Sequence, residues 1–245
     1  MCYSCVSLSR RGFCGGTIVL PLRPRKPAKL LEPTLHVAGS PGAPRSVAIT
    51  LDACPGMFDW RIAKVLVERH IPATIFITEV WMGWNPGPLE FLKSRPDIFT
   101  LENHGARHLP PVLGSAPVYG LPVAGTLDAI RAEVQGGASA IIRATGRPPA
   151  WYRGAAGLYS PEAILAIEAL GVRVAGYSLN SDEGASLPAA SVARRIAAAR
   201  DGDVIEGHIN QPRRESGAGI ATGLAALHDA GVRFVGLGQA PVRFL

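Results

Sequence analysis

Between residues 45 and 240, short runs of β-branched and apolar residues recur, and most are followed by a stretch whose apolar positions fall at helical spacing. Seven runs read as strands: Val47–Leu51, Ala73–Thr78, Ile98–Glu102, Ala150–Tyr152, Arg173–Leu179, Asp203–Glu206 and Arg233–Leu237. Helical patterns fill most of the intervals. Leu127, Ile130, Val134, Ala138 and Ile141 share one helix face, and Ser160-Pro161 supplies an N-cap and first-turn pair for a helix ending at Gly171. Strands alternating with helices place parallel strands in one sheet, so the expected fold is α/β, either a parallel barrel or a doubly wound sheet.

Residues 23–46 are rich in Pro and basic residues without periodicity and read as a linker or extended arm. The expected organisation is a leader and linker over 1–44 and one domain over 45–245, since a barrel of this kind takes about 200 to 250 residues. The stretch from Pro110 to Gly125 is Gly- and Pro-rich and aperiodic, a loop over one end of the sheet. In the leader, Ser9-Arg10-Arg11-Gly12-Phe13 and the apolar run from Gly15 to Leu22 resemble a twin-arginine export signal, which makes the periplasm the expected location. Arg23, Arg25 and Lys26 follow directly and no A-x-A cleavage site appears, so a cytoplasmic location is the alternative.

A composition of 47% hydrophobic and 18% charged residues belongs to a packed globular protein. The net charge of +6 comes largely from Arg10, Arg11, Arg23, Arg25, Lys26, Lys29 and Arg45, and no basic run interleaved with aromatics marks a nucleic-acid face. No stretch approaches the ~20 apolar residues that span a bilayer. Cys2, Cys5 and Cys14 lie in the leader, where Cys2 and Cys5 lack a second ligand pair, and Cys54 stands alone in the domain. A disulfide framework is thereby excluded there.

In parallel strand-and-helix folds the active site gathers beyond the carboxyl ends of the strands. Asp52 follows the first predicted strand, His104 and His108 the third, Arg153 the fourth, Asp182 the fifth and His208 the sixth. His104 and His108 are four apart, so in a helical segment they share a face and can grip one metal ion; hydrogen-bonded structure is the alternative. His36, His70 and His228 have no comparable context.

The segment Val47-Ala48-Ile49-Thr50-Leu51-Asp52, the pair in Asn103-His104-Gly105-Ala106-Arg107-His108, the run Thr145-Gly146-Arg147-Pro148-Pro149-Ala150-Trp151-Tyr152-Arg153, and Gly202-Asp203-Val204-Ile205-Glu206-Gly207-His208 resemble, in order, the signatures of polysaccharide deacetylases with a NodB homology domain. The resemblance spans about residues 45–240. It implies a distorted (β/α) barrel of about seven parallel strands and a hydrolase of carbon–nitrogen bonds other than peptide bonds, removing an acyl group, N-acetyl first, from a carbohydrate or cell-envelope substrate. It also implies a divalent metal, zinc or similar. By resemblance, Asp52 is the general base, His104 and His108 are metal ligands, His208 is the acid, Arg153 orients Asp52, and Asp182 pairs with His208. Trp151 and Asn180 are assigned to the substrate, Trp151 as a stacking platform, while Trp81 and Trp84 are either platforms or packing anchors.

One departure matters. The family's first signature has two adjacent aspartates, the second a metal ligand, whereas Asp52 is followed here by Ala53 and Cys54. The third ligand is then Asp52, Cys54 or Glu102, with Cys54 as a small buried residue the plainer reading. Gly105 replaces a hydroxyl residue, and Gly154-Ala155-Ala156 replaces bulkier residues and widens the floor of the site. Two other functions stay open: a saccharide-binding scaffold without catalysis, and a metal-dependent amide hydrolase for a small cyclic substrate.

Overall fold

The computed structural model describes residues 29–38, 44–238 and 242–244; the twin-arginine-like motif and Cys2, Cys5 and Cys14 lie outside them. The chain runs β1 (Leu35–Val37), β2 (Ser46–Ala53), α1 (Trp60–Glu68), β3 (Ala73–Ile77), α2 (Glu79–Trp84), α3 (Pro86–Lys93), β4 (Phe99–Asn103), α4 (Leu127–Thr145), β5 (Trp151–Tyr152), α5 (Pro161–Glu168), β6 (Arg173–Val174), β7 (Leu179–Asn180), α6 (Ala189–Ala197), β8 (Val204–His208), α7 (Ser216–Asp229), β9 (Arg233–Phe234) and β10 (Val242–Phe244). Seven parallel strands in the order β6-β5-β4-β3-β2-β8-β7 form a curled half-barrel, with β9 pairing the start of β2. No helix among the described residues is long and apolar enough to cross a membrane.

Strand alternation sorts β2 onto two sides. Val47, Ile49, Leu51 and Ala53 pack outward with Ile62, Leu66, Ile220 and Leu224 of the helix layer. Ala48 faces inward, packed with Phe76, Trp151 and Val204. Thr50, Asp52 and Cys54 continue that inner side, and Glu206 and His208 do the same beside them on β8, where Thr50 pairs with Glu206 and Asp52 with His208.

Local signals set the helix ends. Thr126 caps α4 by accepting from Ala129 N–H, and Gly146 ends it at φ 72°. Ser160 precedes α5 as expected, but its hydroxyl accepts from Leu113 N–H in the 110–125 loop. The predicted strand Arg173–Leu179 is two short strands, β6 and β7, because the link between them turns away to bond Pro33 and Leu35.

Residues 31–35, which precede the expected domain start at 45, pack against the domain. Leu31 exchanges two backbone hydrogen bonds with Tyr159, Tyr177 N–H donates to Pro33 C=O at 3.3 Å, and Leu35 N–H donates to Tyr177 C=O. Gly176 makes this approach possible, since a Cβ there would lie 1.9 Å from the Pro33 oxygen. The segment is a strap across the link between β6 and β7, the two ends of the sheet path, and it continues into β1, which pairs antiparallel with β10. Leu35 is fully buried in the inner apolar cluster. Replacing Leu35 by Ala is therefore expected to lower unfolding free energy by about 2–4 kcal/mol in a denaturant titration, the usual cost of emptying a buried leucine site. No change would mean that the strap is a passive linker.

Candidate active site

At the carboxyl ends of the strands a cavity of about 780 Å³ is lined by Asp52, Cys54, His104, His108, Arg153, Glu206 and His208, with Tyr119 and Leu121 of the 110–125 loop, Tyr177, Asn180 and Glu183 around them. The chemistry-bearing residues named from the sequence thus converge, with Trp151 and Glu102 as exceptions. Trp151 is 1% exposed, with the Arg173 guanidinium 3.8 Å from its ring, and is no sugar platform. Trp81 is also fully buried, and Trp84, though exposed, does not line the cavity. Glu102 accepts from Ala150 and Trp151 N–H and lines a separate hollow with Leu92, Arg147 and Pro148, which removes it as a third metal ligand.

Arg153, 1% exposed, donates from one guanidinium nitrogen to Thr50 Oγ1 and Asp52 Oδ1, both at 2.9 Å, and from the other to Gly176 C=O. Burial alone would raise the Asp52 carboxyl, but Arg153, then His104 and His208, hold it below the usual carboxylate range. A second pair lies beside it. His208 Nδ1 donates to Asp182 Oδ1 at 2.9 Å and lies 3.3 Å from Glu206 Oε1. Burial opposes charge on this imidazole, yet Glu206 and Asp182 raise it well above its ordinary value. Glu206 itself is pushed up to about 8, chiefly by burial.

The third cluster is Cys54, His104 and His108, whose donor atoms lie within 4.8 Å of one another. The segment holding the two histidines is a loop rather than a helix, and His108 sits at φ 65°. Their rings meet all the same, with centroids 5.0 Å apart. Glu133 on α4 enforces this geometry: its buried Oε1 accepts from Arg107 and Leu109 N–H, and its carbonyl accepts from Ala106 N–H. Gly105, at φ 91°, is required here, because a Cβ would lie 2.5 Å from that same oxygen. The glycine that departs from the family pattern is thus the seat of Glu133.

His104 Nδ1 donates to Arg153 C=O at 2.7 Å, leaving Nε2 3.4 Å from Cys54 Sγ. Burial would lower His104, but Asp52 and Cys54 raise it to about 9. Burial would raise the Cys54 thiol, but the neighbouring His104 imidazole pulls it well down. His108 Nε2 is buried with no hydrogen-bond partner among the described residues. An orphaned imidazole nitrogen, a thiol whose pKa is drawn down and a histidine fixed through its far nitrogen together fit a borderline-soft divalent cation such as zinc.

The fold and this cavity define an α/β half-barrel with a buried base-and-acid arrangement beside a candidate metal cluster. The family model for polysaccharide deacetylase matches residues 39–175, and the chain belongs to that family of hydrolases acting on carbon–nitrogen bonds other than peptide bonds. Solved structures share the fold. A family 4 carbohydrate esterase from Streptomyces lividans in complex with acetate is 19% identical with a TM-score of 0.63, over 81% of this chain and 98% of that one. A peptidoglycan deacetylase from Bacillus subtilis is 18% identical with a TM-score of 0.64, over 80% and 89%. A family 4 pseudoenzyme from Bacillus anthracis is 17% identical with a TM-score of 0.63, over 82% and 66%. No curated protein matches the chain.

Glu133, Tyr177 and Glu32 belong to the site or its support and carry no motif of their own in the sequence, and Glu206 sits inside the Gly202–His208 signature without having been singled out. For Glu133 the expected outcome is specific. Glu133→Ala strands two N–H groups beneath the histidine loop and should cost about 1–3 kcal/mol in chemical denaturation, while Glu133→Gln, which keeps an acceptor oxygen, should cost less.

Proposed function

We propose that the protein removes an acyl group from nitrogen on a carbohydrate or cell-envelope substrate, with Asp52 as general base and His208 as general acid. The observation that carries this reading is that two ion pairs, Arg153–Asp52 and Asp182–His208, present Asp52 and His208 to one cavity. In the reaction, Asp52 takes a proton from the water that attacks the acyl carbon. Arg153 keeps that carboxylate ionised and fixed. His208, held as imidazolium through Nδ1 by Asp182, presents Nε2 and gives its proton to the leaving nitrogen as the carbon–nitrogen bond breaks. The products are a carboxylic acid and an amine. A divalent ion held by Cys54, His104 and His108 would polarise the acyl carbonyl and lower the pKa of nearby water, which a carboxylate held this low requires of its partner. An envelope substrate would agree with the twin-arginine-like sequence at Arg10-Arg11.

A non-catalytic saccharide-binding barrel is the second reading, favoured by Ala53, which lies in the apolar outer layer where it offers no ligand. Absence of acyl release from every N-acylated saccharide tried, with metal supplied, would bring that reading forward.

The acid role is tested by leaving group. His208→Ala should slow hydrolysis of an N-acyl sugar by about 10²–10⁴-fold and slow an activated aryl ester far less, because an aryloxide departs without a proton. Equal losses on both would remove His208 from the acid role. The ligand set is tested by spectroscopy: cobalt(II)-substituted protein should show a thiolate-to-metal charge-transfer band that Cys54→Ser abolishes. Metal affinity should climb with pH and level off near pH 9, since His104 keeps its proton below about 9 in the metal-free site and must lose it to bind. Calorimetry in buffers of differing ionisation enthalpy should show proton release on binding.

A further inference from the structure

One wall of the cavity touches this chemistry only through Glu206, which lies beside His208. It consists of Tyr177 and Asn180 around the link from β6 to β7, Glu206 on β8, and Glu32 carried in by the strap. Tyr177 OH donates to Glu32 Oε1, and the same hydroxyl feels the charge of Glu206 and reaches Asn180, so the four side chains form one patch. Glu206 is 3% exposed, and its Oε2 has no hydrogen-bond partner among the described residues. A buried carboxyl oxygen left without a partner is costly, and a ligand donor placed there removes the cost.

Charge identifies the donor. Four acidic side chains line the cavity: Glu32, Asp52, Glu183 and Glu206, the last pushed up by burial and so ready to ionise against an incoming cation. Its one arginine, Arg153, is spent on Asp52, and Glu183 is paired at 2.5 Å with Arg195. Among the described residues no lysine or arginine pairs with Glu32 or Glu206; Glu206 Oε1 lies 3.3 Å from His208 Nδ1, and its Oε2 is left to face the ligand. We propose that Glu32, Tyr177, Asn180 and Glu206 form a subsite for a protonated amine, so that the substrate carries a free ammonium group next to the acylated nitrogen that is cut. This assignment rests on the deacylase reading and narrows its substrate to a polyamine in the chemical sense. An amino-sugar chain with some amines already free and an acylated linear diamine share that chemistry.

The test is calorimetric binding to the full chain at low and high salt. The probes are a glucosamine oligosaccharide, its fully N-acetylated counterpart, a linear diamine and its mono-N-acetyl derivative. The charged probes should bind more tightly than their neutral or less charged counterparts, and salt should erode the advantage. Glu32→Gln and Glu206→Gln should each cut the advantage about fivefold, the scale of one partly screened ion pair. Tighter binding of the oligosaccharide assigns the site to amino sugars, and tighter binding of the diamine assigns it to acylated diamines. Equal or better binding of the N-acetylated probes, or a charge preference that survives both substitutions, overturns the proposal. Glu32 is exposed at the cavity mouth, so Glu32→Gln keeps the test open even if Glu206→Gln does not fold. Because binding is read without turnover, a protein that holds the charged probes through Glu32 and Glu206 yet releases no acyl group would end the deacylase reading and leave the subsite standing.

Discussion

The buried ion pair between Arg153 and Asp52 constrains everything around it. Removing a guanidinium from water costs several kcal/mol unless its hydrogen-bonding edges are filled. Arg153 fills them with Thr50 and Asp52 of β2 and the carbonyl of Gly176, while its own carbonyl receives His104 Nδ1–H and its N–H donates to Asn103 C=O. One residue thereby ties β2, the end of β4 and the link after β6 to β5. The inner side of the half-barrel is polar at this level because an arginine there must be answered, and answering it fixes both the Asp52 carboxylate and the plane of the His104 ring.

The remaining geometry follows from three supports. Alternation along β2 brings Thr50, Asp52 and Cys54 inward and sends Ala53 out among the helices, so position 54, and not 53, is the one whose side chain is offered beside His104 and His108. Glu133 reaches from α4 to hold the loop that carries His104 and His108. The strap crosses the link between the two ends of the sheet path and delivers Glu32 to the cavity rim. In the proposed function the acid–base pairs belong to strand ends within the half-barrel, whereas the Glu32 side of the proposed ammonium wall comes from a segment that precedes the family-matched region at residue 39.

Much of this was legible in the sequence, and the misses have physical causes. The strand runs and their helical intervals gave the parallel order because apolar periodicity reports burial directly. Asp52, Arg153, Asp182 and His208 were legible as polar residues at strand ends. Cys54 was readable by the same two-residue period that places Asp52 inward, yet a lone cysteine gives no sign of its neighbours. The His104–His108 pair was reasoned through a helical face; the rings meet instead through a left-handed residue and a glycine seated on Glu133, contacts with a helix that begins 19 residues later. Trp151 looked like a platform because it stands two residues from Arg153, but the alternation that puts Arg153 in the site leaves the indole in the inner apolar cluster. Glu32 meets Tyr177 across a separation of 145 residues, which no local pattern encodes.

The account turns on Asp52 as the ionised base held by Arg153. The most direct measurement is the rate of acyl release from an N-acylated amino-sugar oligosaccharide by metal-loaded protein, compared between the native chain and Asp52→Asn at matched metal content. The account expects measurable release by the native chain and a loss of about 100-fold or more in the variant, the usual scale for removing a positioned general base. Equal rates in the two proteins, or no release from either, would contradict it.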